Sequence, residues 1–173
     1  HPCSRNLVRV FFLQDQMKAL AKGIQFKPQH VHVIGAGTMG GDIAAWCALR
    51  GMYVTVQDQA PERIAPAIKR AHKLFKKKLR KLNLVQAAMD RLQPDVAGDG
   101  VPSADVIIEA VFENLEVKQK IFKDLEMRAK PSAVLATNTS SIPLDEINTV
   151  MQDPGRLIGI HFFNPVSMMP LVE

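Results

Sequence analysis

Residues 30–44 read HVHVIGAGTMGGDIA, and the predicted fold follows from this segment. An apolar run typical of a strand leads into a G-x-G-x-x-G pattern, and a predicted helix over 38–49 follows it. The pattern alone is weak evidence, but between a strand and a helix it has a physical reason. Gly35 allows a tight turn, Gly37 lets the backbone approach a pyrophosphate, and Gly40 allows close packing of the helix on the strand.

The residues after this turn complete a predicted dinucleotide site. Thr38 and Met39 open the helix, where unpaired N–H groups and a partial positive charge suit phosphate oxygens. The strand predicted over 53–58 ends in Asp58, about 20 residues beyond the glycine pattern. A carboxylate at this point accepts hydrogen bonds from the adenosine ribose, and it repels a 2′-phosphate. The sequence therefore predicts NAD as the cofactor, in preference to NADP.

Strands and helices alternate along the rest of the chain. Strands are predicted over 104–110, 133–139 and 156–163, and helices over 61–92 with a break near Asn83, 115–129 and 143–151. The segment 94–103 is loop by composition. This alternation predicts an α/β fold, with a doubly wound, mostly parallel sheet and helices on both faces, as in a Rossmann-type domain.

The composition is typical of one ordinary globular domain. The chain has 173 residues, 47% of them hydrophobic, and no apolar run approaches the ~20 residues that span a bilayer. Its two cysteines have no metal-ligand spacing, and Cys47 lies in an apolar helical stretch typical of a buried thiol. The first residues lack the features of a signal peptide. We therefore expect no metal site and a reduced, cytoplasmic compartment.

Much of the net charge of +5 falls in residues 69–81, KRAHKLFKKKLRK. Apolar residues recur there at helical spacing, which favours the solvated face of an amphipathic helix. The alternative is that the segment attracts a polyanionic ligand. Nucleic acid ranks last among such ligands, because the sequence shows neither interleaved aromatic residues nor zinc-finger spacing.

Residues capable of catalysis follow the later strands. His161 lies at the end of the predicted strand 156–163, where an imidazole beside a cofactor cleft can act as a general base. Glu173 can orient that histidine and stabilise its protonated form. Ser140 follows the strand over 133–139 and supplies a hydroxyl at the same edge of the sheet. A lone histidine is more often structural, so it is the arrangement at successive strand ends that indicates catalysis.

Two charged residues lie where a bound cofactor should run. Glu113 follows the strand over 104–110, and Lys118 lies in the first turns of the helix over 115–129. The carboxyl ends of parallel strands are where such sheets bind ligands. From the sequence alone, a role as a surface ion or a helix-capping residue explains each of the two residues as well as a contact with the cofactor does.

Four segments together resemble the NAD-binding domain of L-3-hydroxyacyl-CoA dehydrogenases: GAGTMGGDIA (35–44), IIEAVFENLEVKQKIF (107–122), TNTSSI (137–142) and HFFNPVSMMPLVE (161–173). The preceding segment SRNLVRVFFLQDQMKAL resembles the linker helix between the hydratase and dehydrogenase parts of multifunctional fatty-acid oxidation enzymes. The resemblance implies a linker helix from a preceding domain over 1–29 and a dinucleotide-binding domain over 30–173. It also implies a helical domain that is not among these residues.

The resemblance further implies a reaction, which is NAD-dependent oxidation of (S)-3-hydroxyacyl-CoA in fatty-acid β-oxidation. His161 matches the family's base, Glu173 matches the carboxylate paired with that base, and Ser140 matches a hydroxyl that contacts the substrate. The matches to cofactor-contacting positions are Glu113, Lys118 and Asn164. The family also uses an asparagine of the helical domain, so we expect this chain to bind NAD with little or no turnover. Members of the family contact CoA through residues on the helix after the second strand, so the resemblance implies CoA as a candidate ligand of the basic segment 69–81.

Two alternatives remain for the function. One is another NAD-dependent enzyme of related architecture, such as a 3-hydroxyisobutyrate-type or nucleotide-sugar dehydrogenase, which relies on a catalytic lysine or cysteine. The other is a non-catalytic cofactor-binding module. Whatever the function, we expect the leading helix and the C-terminal LVE edge to pack against other domains, so that this chain alone should self-associate.

Overall fold

The computed structural model describes residues 2–20, 23, 25–169 and 172–173. Its strands are β1 (His30–Ile34), β2 (Tyr53–Gln57), β3 (Leu92–Pro94), β4 (Val106–Glu109), β5 (Val134–Thr137) and β6 (Leu157–Gly159). Its α-helices are α1 (Pro2–Leu20), α2 (Thr38–Leu49), α3 (Pro61–Lys78), α4 (Leu82–Asp90), α5 (Leu115–Arg128) and α6 (Leu144–Ile147). The strands form one parallel sheet in the order β3-β2-β1-β4-β5-β6.

The direction of winding reverses between β1 and β4. These strands are neighbours in the sheet although β2 and β3 separate them along the chain. At such a reversal the connections after the two strands diverge to opposite faces and leave a crevice, which is where doubly wound sheets bind ligands. The glycine turn follows β1, and the loop that contains Glu113 follows β4. The topology therefore places both segments of the predicted site at this crevice.

Apolar side chains cover both faces of the sheet. Val31 and Val33 of β1 lie in a core shared with α2, α3 and α4. Ile107 of β4 and Leu135 of β5 lie in a second core with α5 and α6. Burial of a side chain of this size stabilises the fold by roughly 1.5–3 kcal/mol. The two cores confirm the predicted doubly wound arrangement.

Two strands differ from the sequence prediction. The prediction contains no strand near Leu92, yet Leu92–Pro94 forms β3 at the edge of the sheet. Proline lacks a backbone N–H, but on an edge strand this loss need not remove a ladder hydrogen bond. β6 ends at Gly159 rather than at residue 163, because its neighbour β5 ends at Thr137. His161 therefore lies in the loop beyond a strand end.

The basic segment and the buried thiol lie as predicted. The inner side of α3 buries Ala71 and Phe75, while Lys73, Lys76 and Lys77 are exposed, which confirms a solvated helical face. Burial raises the pKa of the Cys47 thiol to about 12.

Helix α1 carries an exposed apolar surface. Phe11 is 63% exposed, and Val10, Phe12 and Leu13 are exposed as well. Exposed apolar patches of this kind mark interaction surfaces. Within the predicted linker, residues 1, 21, 22 and 24 lie outside the described part of the chain. Across the ranges described above, no helix is long and apolar enough to cross a membrane.

Candidate active site

The glycines of the turn after β1 occupy three different environments. Gly35 has φ +99°, and a Cβ there would lie 2.6 Å from the carbonyl oxygen of Ala110. A Cβ on Gly40 would overlap the carbonyl oxygen of Gly35. A Cβ on Gly37 would meet no atom within 4 Å, because this residue faces the open cleft. The structure thus requires Gly35 and Gly40 for the fold, whereas the space beside Gly37 suits a pyrophosphate.

Asp58 is connected directly to this turn. Its Oδ2 accepts a hydrogen bond of 2.8 Å from the amide of Ala36, and its Oδ1 accepts one of 2.7 Å from the amide of Gln59. The amide of Gly35 donates to the carbonyl of Gln57 at 2.8 Å, which joins the end of β2 to the same turn. A carboxylate oxygen has two lone pairs, so each oxygen of Asp58 can still accept a ribose hydroxyl.

The crevice consists of two cavities that share Gly37, Ala110, Val111 and Phe112. The cavity at the Asp58 end has a volume of about 560 Å³. The other has a volume of about 480 Å³, and its lining includes Thr38, Met39, Glu113, Ser140, His161 and Asn164. A groove of about 630 Å³ between α3 and α4 contains none of the predicted site residues. Nine of the twelve sequence-predicted site residues therefore line the crevice, and the exceptions are Gly40, Lys118 and Glu173.

Glu113 connects the loops that follow β4 and β5. It accepts hydrogen bonds from the amide of Ser140 at 2.9 Å and from Thr139 Oγ1 at 2.9 and 3.0 Å. Burial raises the pKa of Glu113, but the hydrogen bonds from Ser140 and Thr139 and the charge of Lys118 outweigh this effect, so its pKa lies below the ordinary value. Glu113 therefore remains an anion that holds the Ser140 backbone at the cleft.

Lys118 lies beneath Glu113 rather than on the surface of the cleft. Its side chain is 1% exposed, and its Nζ lies 3.3 Å from Glu113 Oε2. The same Nζ donates to both carboxylate oxygens of Glu109, at 2.7 and 2.9 Å. Lys118 lines neither cavity of the crevice. A direct contact with the cofactor stays a prediction, and in this structure Lys118 reaches the cleft through Glu113.

His161 and Glu173 lie opposite each other on two short backbone segments. The amide of His161 donates to the carbonyl of Glu173 at 2.7 Å, and the amide of Glu173 donates back at 3.0 Å. The side chains face each other as well, with Nδ1 of His161 lying 3.5 Å from Oε2 of Glu173. Because the carboxylate faces Nδ1, Nε2 is the ring atom that remains for a ligand in the cleft.

Asn138 orients this segment from the end of β5. Its Oδ1 accepts a hydrogen bond of 2.9 Å from the amide of Phe162, the residue after His161. Asn164, joined to Pro165 by a cis peptide bond, lines the same cavity. Residues 170 and 171, which precede Glu173, lie outside the described part of the chain.

One contact on the far side of the glycine turn was not predicted from the sequence. Arg70 of α3 donates from its guanidinium to the carbonyl of Gly37 at 2.8 Å and to Asp42 at 3.2 Å. A Cβ on Gly41 would lie 2.6 Å from this guanidinium, so the second glycine of the pair Gly40–Gly41 makes room for it. The unexplained glycine after the G-x-G-x-x-G pattern was the only signal in the sequence.

Comparison with known proteins agrees with this geometry. The family described as "3-hydroxyacyl-CoA dehydrogenase, NAD binding domain" matches residues 30–173. A fatty acid oxidation complex subunit alpha from Pseudomonas entomophila is 34% identical over 177 residues, which cover 98% of this chain and 25% of that protein. The chain thus spans about a quarter of the length of the curated relatives it matches.

The similar solved structures include two that cover most of this chain. The 3-hydroxybutyryl-CoA dehydrogenase from Escherichia coli K12 has a TM-score of 0.81 and 36% identity, over 85% of this chain and 32% of that one. The dehydrogenase part of multifunctional enzyme 1 from C. elegans has a TM-score of 0.76 and 31% identity, over 85% of this chain and 34% of that one.

Proposed function

This chain belongs to the family of NAD-binding domains of 3-hydroxyacyl-CoA dehydrogenases, and from that premise we propose that it holds the cofactor in an enzyme that oxidises (S)-3-hydroxyacyl-CoA to 3-oxoacyl-CoA. The observation that carries the proposal is the convergence of His161, paired with Glu173, and Ser140 on the crevice that begins at the glycine turn. Together these residues would place a proton acceptor beside a bound dinucleotide, and oxidation of an alcohol requires both.

Different residues of the crevice would hold the three parts of the cofactor, namely the pyrophosphate, the adenosine ribose and the nicotinamide half. The amides that follow Gly37, at Thr38 and Met39, would bind the pyrophosphate at the start of α2. Asp58 would bind the adenosine ribose, and Glu113 and Asn164 would border the nicotinamide half. Bound NAD⁺ supplies the hydride acceptor.

The protein supplies the base and the orientation of the substrate. Nε2 of His161 would take the proton of the substrate 3-hydroxyl as the carbon loses hydride. Glu173 at 3.5 Å from Nδ1 would stabilise the resulting imidazolium. Ser140, whose amide is held by Glu113, would orient the hydroxyl toward the imidazole.

The proposal includes a longer protein of which this chain would form one part, as the greater length of its relatives suggests. Residues 1–29, which include α1, would be the linker from a preceding hydratase domain, and a helical domain would complete the substrate site. The exposed apolar side chains of α1 support this arrangement, and they would make the chain alone self-associate.

The exposed lysines of α3 would contact the phosphates of CoA, so reversing the charge of Lys73 and Lys76 should weaken acyl-CoA binding. Such an enzyme would act in fatty-acid β-oxidation, in the cytoplasm.

Turnover by the full-length protein tests the reaction. Purified protein is mixed with NAD⁺ and either a short-chain or a long-chain (S)-3-hydroxyacyl-CoA, and NADH formation is followed by absorbance. Parallel reactions contain (S)-3-hydroxyisobutyrate or UDP-glucose, the substrates of the alternative dehydrogenases. We expect NADH to form only in the reactions that contain an acyl-CoA substrate. Formation of NADH with either control substrate, and with neither acyl-CoA substrate, would contradict the proposal.

A further inference from the structure

A fully buried ion pair lies directly beneath the cleft. Glu109, the last residue of β4, is 0% exposed, and Lys118 of α5 is 1% exposed. Nζ of Lys118 donates to both carboxylate oxygens of Glu109, at 2.7 and 2.9 Å. Two further donors complete the set around the carboxylate, namely the hydroxyl of Thr137 at 2.6 Å and the amide of Val111 at 2.7 Å.

This position is an unfavourable one for a lysine. Lys118 lies in the first turn of α5, where the helix dipole is positive and favours anions. Removing both charges from water also opposes folding, and a well-packed apolar pair often makes a protein equally stable or more stable. Stability is therefore a weak explanation for Glu109 and Lys118, and their connection to the cleft offers a better one.

The pair connects the centre of the sheet to the surface of the cleft in three steps. Glu109 holds the ammonium of Lys118, and this ammonium lies 3.3 Å from Glu113 Oε2. Glu113 in turn accepts the amide hydrogen of Ser140 at 2.9 Å. Thr137, which donates to Glu109, ends the strand that leads to Ser140. The loops that follow β4 and β5, which border this half of the cleft, are thus both held by one buried carboxylate.

We propose that Glu109 is a positioning residue, which acts through Lys118 to fix Glu113 and the Ser140 loop in the geometry that receives the nicotinamide half of NAD. The inference rests on the proposed function, because it assumes that this cleft binds the cofactor. Without the negative charge of Glu109, the ammonium of Lys118 is balanced by Glu113 alone and draws it away from Ser140 and Thr139.

Three variants of this chain separate positioning from folding. Glu109→Gln removes the charge and keeps the shape. The double variant Glu109→Leu/Lys118→Met replaces the ion pair by apolar side chains of similar size. Glu126→Gln is the matched control, because Glu126 is another carboxylate that accepts two backbone amides at 2.7 Å, from Gln152 and Asp153, but lies away from the cleft. Each variant is titrated with NADH by calorimetry, and its thermal unfolding is recorded with and without NADH.

We expect Glu109→Gln and the double variant to weaken NADH binding about tenfold, as the loss of one charge-assisted contact would. The double variant should remain folded but unfold at a lower temperature than wild type, because the Val111 amide and the Thr137 hydroxyl lose their acceptor. Glu126→Gln should bind NADH as tightly as wild type. A double variant that binds NADH within twofold of wild type would overturn the inference, whether or not Glu109→Gln folds. If both Glu109 variants fail to fold, the pair stabilises the fold and the inference is wrong. Absence of NADH binding by the wild-type chain would overturn the proposed function as well, which distinguishes the two failures.

Discussion

Substitution of Gly37 by alanine separates cofactor binding from folding. Gly37 has φ −61° and ψ −165°, a backbone conformation that alanine adopts without strain. Its added Cβ would meet no protein atom within 4 Å and would project into the crevice. The methyl group would therefore occupy the space that we propose for the pyrophosphate, without destabilising the fold.

Gly40→Ala is the matched control for this experiment. Its Cβ would overlap the carbonyl oxygen of Gly35, and the Cβ of Ala110 would lie 3.2 Å away. Overpacking of this kind typically costs about 1–3 kcal/mol, and the rigid backbone on one side places Gly40→Ala at the upper end. In a domain of this size, about 3 kcal/mol lowers the melting temperature by roughly 6–12 °C. Gly37→Ala should instead change stability by less than about 1 kcal/mol, in the stabilising direction.

Calorimetric titration with NADH and thermal unfolding measure the two effects separately. We expect Gly37→Ala to unfold at or slightly above the wild-type temperature and to lose at least about tenfold in NADH affinity, which corresponds to roughly 1.4 kcal/mol. A Gly37→Ala variant that binds NADH as tightly as wild type, or that unfolds as early as Gly40→Ala, would contradict a role of Gly37 in cofactor binding.

Three further perturbations test individual residues. Asp58→Asn retains an oxygen for the Ala36 amide but removes the negative charge. In calorimetric titration the affinity for NADH should fall about tenfold or more, and the preference for NADH over NADPH should become smaller. An unchanged preference for NADH would contradict the role of the carboxylate. His161→Gln should lower turnover of the full-length enzyme by ~10²–10⁴ while NADH binding is retained, and wild-type turnover would refute a role as base. Burial lowers the pKa of His30 and His32 below the ordinary 6.5, so near pH 6.5 the unfolded chain binds protons that the folded chain does not. The free energy of unfolding in urea should therefore fall between about pH 7.5 and 5.5, and fall less in His32→Asn; equal slopes for the two proteins would exclude His32 as the cause.

The parts of the fold that follow from local sequence could be predicted closely. Helix α2 spans Thr38–Leu49 as predicted, because the glycine turn determines its start and Gly51 follows its end. The edge strands were the difficult part. β3 has three residues and ends in Pro94, so its apolar pattern is too short to recognise, and its pairing with β2 depends on residues far away in the chain.

The candidate site shows the same division. Asp58, Ser140 and His161 follow strand ends, and topology alone brings strand ends together at one edge of a parallel sheet. The sequence could not show that Lys118 is buried beneath Glu113, because the residues next to Lys118 in the helix do not indicate that its side chain contacts Glu109 of the neighbouring strand. The bond between Asp58 and the Ala36 amide was equally hidden, and it means that Asp58→Ala would disturb the turn as well as the ribose contact.

Titration of this chain with NADH, and separately with NADPH, measures whether the crevice binds NAD and prefers it to NADP. The crevice with its glycine turn and Asp58 predicts saturable binding of NADH and much weaker binding of NADPH. Equal affinity for the two cofactors, or no binding of NADH by the folded chain, would contradict the assignment of this crevice as an NAD site.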